Sequence, residues 1–296
     1  MEGELAPILA PILAPILALS AAIIFAWNTH TQRRALDDTD PATGAFLSVS
    51  ATAVLCWALS PFIVQWDWWS SPYVWLFAAI GLIFPAAGQW LQMRSVATVG
   101  PTLTSSLAGL TPLFAVTIGV IWLGDTVTAQ AAFGILLMIV GLVLAAWSPK
   151  GIKRGWALWA IFLPIGAALA RGLAQPGLKF GFEHLPSPFF ALLIGASVST
   201  VVLGLTLLPR RARLNRRIGK GSSRFVLVGI VNGVGIFCLN AALNLGSLTV
   251  VSPLTSTTPL WTLALGVLFY KREVVGLRHL GVALLMVLGA VLVLTR

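Results

Sequence analysis

Acid–base, nucleophilic or metal chemistry in this chain would have to come from nine Asp and Glu residues, three His and two Cys. Their positions bring none of them together. Glu2, Glu4, Asp37, Asp38, Asp40, Asp67, Asp125, Glu183 and Glu273 fall at the ends of apolar stretches or in the turns between them, as do His184 and His279. Cys56 and Cys238 lie inside apolar runs, where a thiol behaves as a small hydrophobe. No metal-ligand spacing, phosphate loop or nucleophile–base pair is present, so the pattern points away from an enzyme and calls for no cofactor. What remains is recognition by hydrogen bonds and charge. Arg171 is the one permanent charge well inside an apolar stretch. On a helix running from about Gly155 to Gly177 it stands ~9 Å from the far end. There it either snorkels to the interface or offers a planar fork to the carboxylate of a bound molecule. Lys179, beyond Pro176, reads as solvated.

The other polar groups inside apolar stretches are neutral. Hydroxyls such as Thr104, Ser105, Ser106, Thr111, Ser252, Thr255, Ser256 and Thr257 commonly bond their own backbone or a neighbouring helix. Asn and Gln cost more to bury and are better candidates to face a cavity: Asn28, Gln89, Gln92, Gln175, Asn232, Asn240 and Asn244. Asn232 and Asn240, two turns apart, fall close to one helical face. Trp27 and Trp90, each beside polar neighbours, could stack on an aromatic or apolar ligand or simply face lipid. Taken together, the candidate ligand contacts are Trp27, Asn28, His30, Gln89, Trp90, Ser105, Thr111, Arg171, Gln175, Asn232, Asn240, Ser252 and Ser256.

The elements that must position these residues follow from composition. The chain has 296 residues, 58% of them hydrophobic and 9% charged, with a mean hydropathy of +0.93. That is far from the roughly one-quarter charged of an average soluble domain. Reading for runs of about 17 to 25 apolar residues predicts ten transmembrane helices, over 7–30, 42–64, 73–93, 102–123, 128–147, 155–177, 188–208, 224–244, 250–270 and 276–295. Pro7 is tolerable in a first turn, whereas Pro11 and Pro15 each delete a backbone hydrogen bond and should bend or fray the start of the first helix.

The net charge of +10 raises the question of an anionic partner, and the placement of the charge answers it. Sixteen of the 19 Lys and Arg residues fall in or beside the odd-numbered loops. By the positive-inside rule those loops are cytoplasmic and both termini lie outside, in the inner membrane of a cell. The stretch from Arg210 to Arg224 therefore reads as a mark of topology in a cytoplasmic loop rather than as a nucleic-acid or anionic-lipid patch; the partners expected are the lipid bilayer and a small-molecule substrate, with no nucleic acid. Trp66, Trp68, Trp69, Tyr73 and Trp75 form a belt on the opposite side.

The sequence also matches itself at an offset of 147 residues, with Ser50/Ser197, Gly88/Gly235, Ser105/Ser252, Thr111/Thr258, Pro112/Pro259, Gly119/Gly266 and Gly134/Gly281 among the pairs. The halves 1–148 and 149–296 hold five spans each, and an odd number forces the second to enter the membrane upside down. Inverted repeats with a site between them near the midplane are an architecture of secondary transporters. Candidate hinges are Pro85, Pro112, Pro164, Pro176, Gly233 and Pro259, in spans that would bend as a cavity opens to each side in turn.

Trp27 followed by polar residues, the run from Arg94 through Thr-Pro-Leu-Phe to Leu-Gly-Asp at Asp125, and its copy from Leu243 through Thr-Pro-Leu-Trp to Glu273 resemble the ten-span EamA-type members of the drug/metabolite transporter superfamily. The acidic residue after the fourth span of each repeat stands at Asp125 and, displaced by one position, at Glu273. The resemblance implies an all-α basket of helices around a central cavity, exporting small metabolites. Among such proteins the chain looks most like bacterial exporters of aromatic and other neutral amino acids. The absence of a carboxylate from the span interiors points to facilitative transport, with His30 the only group placed for proton coupling; a monomer is the expected working unit. Exporters of drugs or of sugar phosphates, coupled to protons, are the alternative; a membrane-embedded enzyme or an assembly protein is a more remote one.

Overall fold

The computed structural model describes residues 2–37, 39–124, 126–146, 157–207, 220–268 and 277–295. Among these residues every regular element is helical. In hydrocarbon each backbone N–H and C=O needs a partner, and a helix supplies them within one segment. In chain order the α-helices are α1 (Glu2–Ala35), α2 (Pro41–Ile63), α3 (Tyr73–Gly81), α4 (Gly88–Thr98), α5 (Pro101–Ala108), α6 (Thr111–Ile118) and α7 (Ala129–Ala146). Then come α8 (Phe162–His184), α9 (Pro188–Leu207), α10 (Lys220–Leu245), α11 (Leu248–Thr255), α12 (Thr258–Leu268) and α13 (Leu277–Leu294). Among the described residues six runs are long and apolar enough to cross a membrane: Leu9–Ala35, Pro41–Ile63, Tyr73–Thr98, Leu158–His184, Pro188–Leu207 and Ser222–Leu245. Thr111–Leu123, Ala129–Gly141 and Leu284–Leu294 are apolar but shorter.

Two helices differ from the sequence expectation. The start of α1 is not frayed: the helix runs unbroken from Glu2 through Pro7, Pro11 and Pro15. Its small side chains explain this, because Ala14, Ala18 and Ala21 are buried where α1 lies along α10, while Pro11 sits on the exposed side. The sixth span does not end near Gly177 but continues to His184. Pro176 is buried inside a continuous α8, and Pro164 falls in its first turn, where the missing N–H has no intrahelical partner to lose. Neither proline breaks the helix.

The breaks lie elsewhere, and two are copies of each other. Between α3 and α4, Phe84 is extended (φ −145°, ψ 125°) just before Pro85, within a wide turn over Leu82–Ala87. Between α5 and α6 the chain breaks at Gly109 and Leu110, and between α11 and α12 at Ser256 and Thr257. Pro112 and Pro259 each lack the N–H that would bond four residues back. The threonine in front of each supplies a hydroxyl instead: Thr111 Oγ1 donates to the Ala108 carbonyl at 2.6 Å, and Thr258 Oγ1 to the Thr255 carbonyl at 2.7 Å. Thr258→Val keeps the shape but leaves that carbonyl without the bond. It should cost about 1–2 kcal/mol, read as a lower thermal midpoint; an unchanged midpoint would contradict the assignment.

Equivalent helices of the two halves pack antiparallel. Gly134 of α7 lies against Gly289 of α13, and Gly141 against Met286 and Val282. In the same way Phe46 of α2 sits beside Gly204 of α9, and Trp57 Nε1 donates to Ser197 Oγ at 2.9 Å. The packing of α1 on α10, α11 and α12 is matched by that of its counterpart α8 on α3, α4, α5 and α6. The two halves therefore run in opposite directions around a pseudo-two-fold axis. One end of the bundle carries Trp66, Tyr73 and His184 and is closed by a buried apolar cluster that includes Phe77, Ile80, Leu178, Phe182, Leu243 and Leu248. The other end, near Arg33 and Arg34, has a smaller cluster around Val49, Met93 and Phe225.

Candidate functional site

A cleft lies where the broken helices meet. Its walls are Phe25 of α1, Gln92 of α4, Ala108 and Gly109 at the end of α5, Thr111 of α6, Arg171 of α8, Leu239 of α10, and Thr255, Ser256, Thr258 and Pro259 around the α11–α12 break. Gln92 and Leu239, Ala108 and Thr255, Gly109 and Ser256, and Thr111 and Thr258 are each 147 positions apart. The cleft thus sits on the axis relating the two halves. Helix breaks bring it polar backbone: the N–H ends of α6 and α12 and the carbonyl ends of α5 and α11, where the Ala108 and Thr255 carbonyls already accept a hydroxyl and keep a second lone pair each. Its enclosed space is about 30 Å³, room for a water or two and not for a metabolite, so it must widen to admit one.

Arg171 stands at the midpoint of the Leu158–His184 run, roughly 20 Å of helix from either end. The guanidinium does not snorkel along α8 but turns into the cleft. It lies 5.4 Å from the Phe25 ring centre and 5.1 Å from that of Phe84, and Nη2 donates to Gln92 Oε1 at 2.9 Å. Its Nε has no partner, and no carboxylate among the described residues pairs with it. Cation–π contacts and one neutral hydrogen bond compensate only part of the desolvation of such a charge.

The chain matches the model of the EamA-like transporter family twice, over residues 12–147 and 158–295. It belongs to that family. No curated protein matches it by sequence. A solved structure described only as "Crystal structure of protein" superposes with a TM-score of 0.72 at 14% identity, covering 94% of both chains, which supports the fold alone. This EamA-like transporter is accordingly a multi-pass membrane protein for small molecules, in a family of transporters and not of enzymes.

Within this EamA-like chain the sequence candidates separate into those at the cleft and those away from it. Thr111, Arg171, Ser256 and Pro259 line it. Asn232 does not face a cavity but accepts a hydrogen bond from Asn28 Nδ2 at 3.1 Å, tying α1 to α10. Asn240 reaches the Pro188 carbonyl at 3.4 Å. Trp27 is on the exposed side of α1, and Trp90 carries the Arg94 guanidinium on its ring at 4.6 Å. His30 Nε2 lies 2.8 Å from the Thr262 carbonyl, linking α1 to α12. Gln89, Gln175 and Ser252 are buried, each with a side-chain polar atom that has no partner. Gly233 faces Thr52 of α2 in close packing and marks no break, whereas Pro85, Pro112 and Pro259 all sit at breaks. The Ser105 side chain, Asp125 and Glu273 lie outside the described residues. Lys179 is half-buried and donates to the Leu243 carbonyl at 3.1 Å, so it is not simply solvated. Gln92, named among the amides suited to face a cavity, does line it. Phe25 and Phe84 were not among the candidate contacts, and two phenylalanines in a Phe-rich chain carried no signal.

Proposed function

We propose that this protein exports neutral and aromatic amino acids across the cytoplasmic membrane by facilitated alternating access. In this reading ten helices form two inverted halves, 1–148 and 149–296, with both termini outside and a monomer as the working unit. The observation that carries it is Arg171, a charge without a carboxylate partner, at mid-helix in a cleft on the axis of the repeat. A substrate carboxylate would take the guanidinium from Gln92 and gain a charge-assisted fork. The carbonyl ends of α5 and α11 would accept from its ammonium group, and Phe25 and Leu239 would meet an apolar side chain. Arg171 also touches Phe84, the extended residue between α3 and α4, so engaging substrate loads a break in the helix. Opening toward the tryptophan end requires the apolar cluster there to part.

Two measurements test this. Counterflow in liposomes with labelled neutral and aromatic amino acids should give exchange, and no exchange with any of them would refute the substrate class. Disulfides engineered between α8 and α11, which pack against each other, on the side toward the tryptophan end should stop transport reversibly. Unimpaired uptake by the locked protein would exclude bending at those helices.

A further inference from the structure

Beyond the cleft, α8 carries polar groups that the cleft does not use. Gln175 lies one turn past Arg171 toward the tryptophan end and Lys179 one turn past that. Steps of four residues drift only ~40° around a helix, so the three share one side. Gln175 is 1% exposed, and neither its Oε1 nor its Nε2 has a partner. Lys179 Nζ spends one N–H on the Leu243 carbonyl of α10, and no ion pair reaches it among the described residues; Glu183, a further turn out, is exposed. On α11, which packs against α8, Ser252 precedes Ser256 of the cleft by one turn in the same direction. It is fully buried, and its Oγ also lacks a partner. Donors and acceptors left unpaired inside an apolar cluster are costly. They are accounted for if a ligand pairs with them in another state.

We propose that Gln175, Ser252 and Lys179 form a second station for the anionic group of a substrate, between the cleft and the tryptophan end. A carboxylate released by Arg171 would travel about 12 Å along α8 to reach Lys179. The station rests on the transport reading above, but its test needs no known substrate, so the two fail separately. In the full-length, detergent-solubilised protein carrying Cys56→Ala and Cys238→Ala, cysteines are introduced as Gln175→Cys or Ser252→Cys. Their rates of reaction with the anionic sulfonatoethyl and the cationic trimethylammonioethyl methanethiosulfonates are compared. Both sites should react, faster with the anionic reagent. Lys179→Gln should lower the anionic-to-cationic rate ratio by roughly tenfold, while Lys179→Arg preserves it. Unreactive cysteines in protein that elutes as folded, or a ratio indifferent to Lys179→Gln, would overturn the station.

Discussion

Arg171→Met is expected to abolish substrate exchange while leaving the protein as stable as the parent, or more so. The two effects part because the charge is not there for the fold. The guanidinium has one hydrogen bond, to Gln92, two ring contacts and an unpartnered Nε. Replacing a desolvated charge by an apolar side chain of similar length commonly gains about 1–4 kcal/mol, against a cost of about 1–3 kcal/mol for leaving Gln92 Oε1 unpaired. Loss of a buried partner for a carboxylate costs about 2–5 kcal/mol of binding, so counterflow should fall at least about thirtyfold. Arg171→Lys keeps the charge without the fork and should fall between. A thermal midpoint lowered by several degrees, with exchange retained, would make Arg171 a structural residue.

The second large effect falls on packing. Gly229→Ala should destabilise the protein by about 3 kcal/mol or prevent its accumulation in the membrane. A Cβ at this position of α10 would collide with the Ser48 carbonyl oxygen of α2 and stand 2.8 Å from the Ala51 Cβ. Backbone on the far side cannot give way as the tip of a side chain can. Thr52 also donates to the Gly229 carbonyl at 2.7 Å, a bond that needs this close approach. Gly233, four residues on, meets the Thr52 side chain, so the two glycines form the small-residue seam usual between membrane helices. Gly281→Ala is the control, since nothing lies within 4 Å of its added Cβ. Equal thermal midpoints for the Gly229 and Gly281 variants would contradict the seam.

The apolar helices and the two related halves were readable because hydropathy and the offset of 147 are properties of whole segments, and Pro112 and Pro259 were among the hinge candidates; that spans 102–123 and 250–270 each divide into two helices was not readable. The length of α8 was hidden because Pro176 and Gly177 look like an end, whereas Pro176 is accommodated in a buried, continuous helix. Ending the helix at Gly177 put Arg171 near an end rather than at mid-helix and weakened its signal. Asn232 and Asn240 were misplaced for a different reason: a polar side chain in a span predicts a partner, but periodicity does not say whether it is a ligand or another helix. Here Asn28 and the Pro188 carbonyl are the partners. Phe25 and Phe84 reach the guanidinium only through tertiary packing around the cleft and the extended backbone at Phe84, which no local pattern encodes.

The central claim, that Arg171 anchors a carboxylate in a cleft between inverted halves, is tested most directly by a pair of probes in one assay. Liposomes holding the parent protein are preloaded with phenylalanine, and counterflow of labelled phenylalanine is compared with that of its carboxamide, which keeps the ring and the amine and lacks the negative charge. The account predicts rapid exchange of phenylalanine and little of the amide. Equal exchange of both would contradict it.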